Sequence, residues 1–253
     1  MNAIELGRVF ADDEVAALYQ YRAPYPPGVF AILERLLVDP RIVLDAGAGT
    51  GALARHFPPS TVRIDAVDPS AAMIARGRAL PGGNDPRIRW IHGRAEDAPL
   101  SPPYGLIALG ASLHWMQPEA VVPRFRDALA PGARVAVIDT ETTHSGEWRP
   151  AMLDVIRRYS PVEHHRETHE IVSELVREGL FVLEGEERTV PEPFDRSIDD
   201  YLRFLGSTST LSRFTLGPRA GAFAAECREV FARHAMERIR SSVVGYVAWG
   251  RPA

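Results

Sequence analysis

The sequence predicts an α/β protein, a doubly wound, seven-stranded, mostly parallel sheet with a helical cap insertion. Three observations carry that expectation. Apolar runs of strand length alternate with helical patterns from residue 41 to 139. The first two runs each end in an acid, Asp45 and Asp68. A turn of alternating glycines, Gly47-Ala-Gly49-Thr-Gly51, follows the first run.

In chain order, helices are expected at 12–21 and 28–37, the second entered through Pro26-Pro27. A strand at 41–45 runs into the glycine turn, and a helix at 52–57 stops at Pro58-Pro59. A strand at 61–68, a helix at 70–80 and strands at 87–92 and 106–109 come next. A helix at 118–129 and a strand at 134–139 complete the alternating part. Beyond Asp139 the pattern reads as helices at 150–159 and 169–178, a strand at 181–189, and helices at 198–206 and 219–239. A strand at 243–249 closes the chain, the last of the seven and the antiparallel one. The whole of 1–253 reads as a single domain: an N-terminal helical cover (1–40), a ligand-binding core (41–139), a cap insertion with strand six (140–215), and a final helix and strand seven (216–253).

Composition bounds the function. With 253 residues, 45% hydrophobic and 25% charged, the chain is a folded globular protein. All 29 basic residues are Arg, and the absence of Lys excludes Schiff-base chemistry and the usual phosphate loop. A net charge of −4 argues against binding a nucleic-acid backbone. The single Cys227 excludes an intramolecular disulfide or a cysteine metal cluster and reads as a buried thiol. Glu5, Asp12, Asp13 and Glu14 do not suit a signal peptide, and no apolar run approaches the ~18 residues of a membrane span. The expectation is a cytoplasmic monomer or homodimer acting on a small molecule, with no nucleic acid and no membrane.

The glycine turn carries most of the information. Its spacing is G-x-G-x-G with Asp45 two residues ahead, whereas the dinucleotide fingerprint is G-x-G-x-x-G. That rearrangement moves away from cradling a pyrophosphate and toward an uncharged or cationic ligand beside a carboxylate. Asp68, roughly 20 residues further on, is placed to accept both ribose hydroxyls of a nucleoside. Its other reading is a helix cap, a role that Ser70 already fills.

Five segments, VLDAGAGTGALAR (43–55), VDPSAAMIARGRA (67–79), GRAEDAPL (93–100), SLHWM (112–116) and LAPGARVAVID (129–139), together resemble the class I S-adenosylmethionine-dependent methyltransferases. The opening YQYRAPYPPGVF (19–30) and the His114-Trp115 pair look like the type-11 small-molecule branch, which includes trans-aconitate methyltransferase. The resemblance implies a Rossmann-like methyltransferase fold with S-adenosyl-L-methionine as cofactor. Asp45, Gly47, Gly49 and Gly51 would lie under its methionine part, and Asp68 would bind the ribose. Pro69 and Met73 would pack on the adenine, Ala95 and Glu96 would meet its polar edge, and Gly110 and Ala111 would also bind the cofactor. Arg94 stands where relatives carry an acid, a contact that Asp97 could replace.

The turn after the fourth strand is the natural reaction site. His114 there is either a general base or a packing element, and Tyr25, His114 and Trp115 are the candidate substrate residues. Tyr19 and Arg22 are assigned to the cofactor as a cover, Arg22 pairing with a carboxylate or lying on a solvated helix face. Ser101-Pro-Pro-Tyr104 mimics a motif of amino-group methyltransferases, but it precedes the fourth strand and reads as a rigid turn. His164, His165 and His169 have helical spacing, yet Arg166 stands where a zinc helix needs Glu, so no metal is expected. Trp148, Tyr159, Tyr201 and Phe204 line a substrate pocket or form core. The function expected is methyl transfer to a small-molecule oxygen, a carboxylate or hydroxyl. The alternatives are a different reaction on an S-adenosylmethionine-binding protein of this fold and, against the glycine spacing, a nicotinamide oxidoreductase.

Overall fold

The computed structural model describes residues 7–162 and 166–253. The chain divides into a sheet unit, residues 24–141, 166–190 and 244–253, and a helical unit made of the described parts of 1–23, 142–165 and 191–243. The boundary expected at 140 lies two residues before the division at Thr142, whereas the one expected at 215 has no counterpart in it. The helix Thr168–Arg177 and the strand Phe181–Arg188 belong to the sheet unit, and the helix Ala220–Arg233 belongs to the helical one.

The strands are β1 (Ile42–Ala46), β2 (Arg63–Asp68), β3 (Ile88–His92), β4 (Tyr104–Gly110), β5 (Leu129–His144), β6 (Phe181–Arg188), β7 (Glu192–Pro193), β8 (Arg196–Ser197), β9 (Arg238–Ile239) and β10 (Ser241–Pro252). The main sheet runs β3-β2-β1-β4-β5-β10-β6, with β7 paired to β10 off that path. Its β1–β2, β2–β3, β1–β4 and β4–β5 pairs are parallel, and β10 meets β6 antiparallel. The winding therefore reverses between β1 and β4, where open α/β sheets place their ligands.

Alternation along each strand feeds two apolar layers. Val43, Ile64, Leu106 and Ala136 face one cluster with Leu33 and Leu53, while Leu44, Ile107 and Val137 face another with Phe125 and Leu175. Such central strands are buried on both faces, as parallel strands covered by helices must be. The helix Pro118–Ala128 starts on Pro118 and buries Val121, Val122, Phe125 and Ala128, one stripe at helical spacing. Burying each large apolar side chain stabilises the fold by roughly 1.5–3 kcal/mol.

The helical unit packs its own core. Trp148, Met152, Tyr201, Leu205, Phe223, Cys227 and Phe231 meet there. Trp148 lies edge-on to Tyr201 at 5.8 Å, and Tyr201 lies edge-on to Phe231 at 5.7 Å. Trp148 and Tyr201 are therefore core, and Cys227 is wholly buried, its thiol pushed up to about 12 by burial.

Three expected elements are corrected. The helix at 52–57 is only a 3-10 turn, Ala54–His56, because the Ala54 N–H donates to the Asp45 carboxylate at 3.1 Å. The helix expected at 219–239 ends at Arg233. Ala235 turns the chain with φ +49, and Arg238–Ile239 then pairs as a strand with Arg196–Ser197. The fifth strand runs from 129 rather than 134, since Leu129 pairs with Tyr104 ahead of an irregularity in the register.

Candidate active site

The site grows from the carboxyl ends of β1 and β2. Gly47, Gly49 and Gly51 hold φ of +74, +56 and +73, a region open to glycine at little strain. A side chain on Gly47 would also run into Ser112. The Gly47 and Ala48 N–H groups both donate to the Val67 carbonyl, at 2.8 and 2.9 Å, which ties the turn to β2.

Two carboxylates flank that turn. Asp68 accepts from the Gly49 N–H at 2.7 Å and from the Ser70 N–H at 2.8 Å. Ser70 itself caps the helix Ala71–Ala79 by accepting from the Met73 N–H at 3.1 Å, so Asp68 is free of that duty. Asp45 and Asp68 are buried, 1% and 7% exposed, and neither has an ion-pair partner among the described residues. Burial pushes the Asp45 carboxyl up to about 7, against the Ala54 hydrogen bond and with the Asp68 charge adding to the rise. Burial also raises Asp68, opposed by its two backbone donors and by His92.

The end of β4 closes the other side. Ala111 takes φ +48 and donates its N–H to the Ile138 carbonyl at 2.8 Å. Ser112, 4% exposed, donates its hydroxyl to the Ala46 carbonyl at 2.7 Å, joining this loop to β1. A Cβ on Gly110 would come within 2.8 Å of the Tyr25 hydroxyl, so Tyr25 lies against the β4 terminus. His114 and Trp115 share the turn Leu113–Trp115, their ring centroids 4.4 Å apart.

The remaining expected residues are more scattered. Met73 is 2% exposed and faces the core, whereas Pro69 is exposed. Ala95 is buried, and Glu96 is occupied: Arg94 donates to it at 3.0 Å and the Gln117 N–H at 3.1 Å. Burial alone would raise the Glu96 carboxyl, but those donors hold it below the ordinary range. Tyr19 and Arg22 belong to the helical unit. There Arg22 lies 4.2 Å over the Tyr19 ring and donates to the Ser207 carbonyl at 2.8 Å. Tyr104, in the Ser-Pro-Pro-Tyr turn, donates its hydroxyl to buried Asp65 at 2.7 Å, at the amino end of β4 and away from the site. His164 and His165 lie outside the described residues, and no group of metal-ligating side chains occurs among those described.

Sequence reasoning missed two residues. Ser112 has a signal that was readable, a small polar residue directly after Gly110-Ala111. Asp139 was seen only as a strand terminus. It accepts from the Thr168 hydroxyl and from the Thr140 N–H, and it directly follows Ile138, where the parallel pairing of β5 with β4 ends.

Two buried acids without cations, beside a glycine turn in a chain without Lys, suit a ligand rich in hydroxyls or bearing positive charge. Residues 43–132 match the family model described as a methyltransferase domain. An uncharacterised methyltransferase of Mycobacterium tuberculosis is 29% identical over 145 residues, 57% of this chain and 57% of that protein. Acetylserotonin O-methyltransferase of Mus musculus is 33% identical over 117 residues, 42% of this chain and 30% of that enzyme. The chain thus spans little more than half the length of the first relative and under a third of the second. In fold, it is similar to an Anaeromyxobacter dehalogenans protein assigned as a type II methyltransferase, with a TM-score of 0.64 at 23% identity over 91% of this chain and 97% of that one. No helix among the described residues is long and apolar enough to cross a membrane.

Proposed function

We propose that the protein methylates an oxygen of a small molecule, a carboxylate or a hydroxyl, at the turn after β4. The observation that carries this reading is the pair of buried carboxyls, Asp45 and Asp68, around the glycine turn, neither with an ion-pair partner among the described residues. Support for an oxygen acceptor comes from the likeness to acetylserotonin O-methyltransferase.

When bound, S-adenosylmethionine supplies an electrophilic sulfonium methyl group. The chain's residues bind, orient and exclude water, which is most of what an in-line displacement needs from a protein. Asp68 would accept the ribose hydroxyls, held ready by the Gly49 and Ser70 N–H groups. Asp45, Gly47, Gly49 and Gly51 would lie under the methionine part. Pro69 and Met73 would flank the adenine, Ala95 and Glu96 would meet its edge, and Gly110 and Ala111 would leave room at the β4 terminus. Tyr25 and Trp115 would shape the acceptor site. A ring nitrogen of His114 would take the proton of a hydroxyl acceptor, whereas a carboxylate needs no base.

His114→Ala tests the base assignment. Phenol methylation should fall by about 10²–10⁴-fold, with S-adenosylhomocysteine affinity and carboxylate methylation retained. Undiminished phenol turnover in the variant would remove His114 from the chemistry.

A further inference from the structure

Arg196 is a buried cation with no ion-pair partner among the described residues. The residue is 5% exposed, its Nε is enclosed with no acceptor, and its Nη1 donates only to the Tyr21 carbonyl at 3.3 Å. Asp200 close by is paired with Arg203 at 3.0 Å. Phe194, Tyr201 and Phe204 surround its guanidinium at 5.0, 5.0 and 4.5 Å, and cation–π contact offsets only part of the desolvation. Burial pulls the guanidinium down to about 10, which leaves it charged at neutral pH.

The Tyr201 ring also meets His144, edge-on at 5.6 Å. The His144 Nδ1 lies 2.8 Å from the Ser241 hydroxyl, and its ring lines a groove of about 540 Å³ together with Arg149, Pro150, Leu153, Arg157 and the acid Asp154. Arg157 is paired with Asp154 at 3.1 Å, but Arg149 has no ion pair among the described residues. Burial pushes His144 down to about 4, and the charges of Arg196 and Arg149 push the same way. The imidazole is therefore neutral, in a field set by two guanidiniums that have no ion-pair partner among the described residues, Asp200 acting on Arg196 only at a distance. Pro150 and Leu153, the latter 38% exposed, add apolar surface to the groove.

We infer that this groove of the helical unit is a binding site for a small carboxylate with an apolar body, Arg149 and His144 meeting the carboxylate and buried Arg196 supplying charge behind them. Benzoate is the probe, and benzamide its uncharged isostere. Calorimetric titration should show saturable millimolar binding of benzoate and none of benzamide. Arg149→Gln, an exposed substitution that leaves the core untouched, should weaken benzoate roughly tenfold, with S-adenosylhomocysteine affinity unchanged. Arg196→Met should do the same where circular dichroism shows it folded, and otherwise Arg149→Gln decides. Equal binding of benzoate and benzamide, no saturable benzoate binding, or wild-type benzoate affinity in Arg149→Gln would overturn the assignment.

Discussion

The glycine-turn site of the sheet unit and the groove of the helical unit are electrostatic opposites. The first holds two buried carboxylates without cations, Asp45 and Asp68. The second holds buried Arg196 and rim Arg149, neither in an ion pair among the described residues. Both hold a buried charge without an ion-pair partner among the described residues, an arrangement that favours a ligand of the missing sign. They differ in how the charge is held. Asp68 is fixed by backbone N–H groups only a few residues away or on the adjoining turn, so local geometry defines it. Arg196 is fixed by aromatic rings and a carbonyl from separate segments, so only the tertiary fold defines it.

The largest expected effect breaks the frame of the second region. Phe231, 1% exposed, packs against Trp148 and Tyr201, and Phe231→Ala should lower stability by about 3–5 kcal/mol in a denaturant titration. A loss below about 1 kcal/mol would mean that the aromatic core does not hold Tyr201 in place.

Next comes a pH test of the first region. The Asp45 carboxyl is raised from 3.8 to about 7 in the folded chain, so folding favours its protonated form. That stabilisation is complete below about pH 4 and is lost as pH rises through about 7. At about 1.4 kcal/mol per pKa unit the change amounts to a few kcal/mol. Asp45→Asn should therefore gain on the wild type in melting temperature between pH 4 and pH 7, and parallel profiles would contradict the assignment. Asp68, raised in the same sense, leaves a residual slope in the variant.

Asp68→Ala should weaken S-adenosylhomocysteine binding by roughly 1–3 kcal/mol, the scale of hydrogen bonds to a charged group. Unchanged affinity would remove the ribose assignment. The smallest effect serves as a control outside both regions. Arg35 and Glu187 pair at 2.6 Å but are 60% and 42% exposed, so Glu187→Gln should cost only about 0.2–1 kcal/mol and disturb neither site.

The same contrast explains what the sequence made legible. β1 and β2 could be read because apolar runs, terminal acids and a glycine turn are all local signals. The antiparallel closing strand could be read from its own apolar run, although it extends over Ser241–Pro252. The end of the helix at Arg233 could not, because neither Gly nor Pro stops it and Ala235 turns the chain instead. Arg196 was invisible as well. It sits between Asp195 and Ser197, a polar run like others in the chain, and nothing local tells which of 29 arginines is buried. Tyr25 was predicted beside the site and does lie against Gly110, whereas Ser112, which joins the β4 turn to β1, was overlooked.

Asp45 and Asp68, buried on either side of the glycine turn, are proposed to bind S-adenosylmethionine. Calorimetric titration of the wild-type protein with S-adenosylmethionine, S-adenosylhomocysteine and NAD tests this most directly. The account predicts micromolar binding of the first two and none of NAD. Binding of NAD alone, or of none of the three, would contradict it.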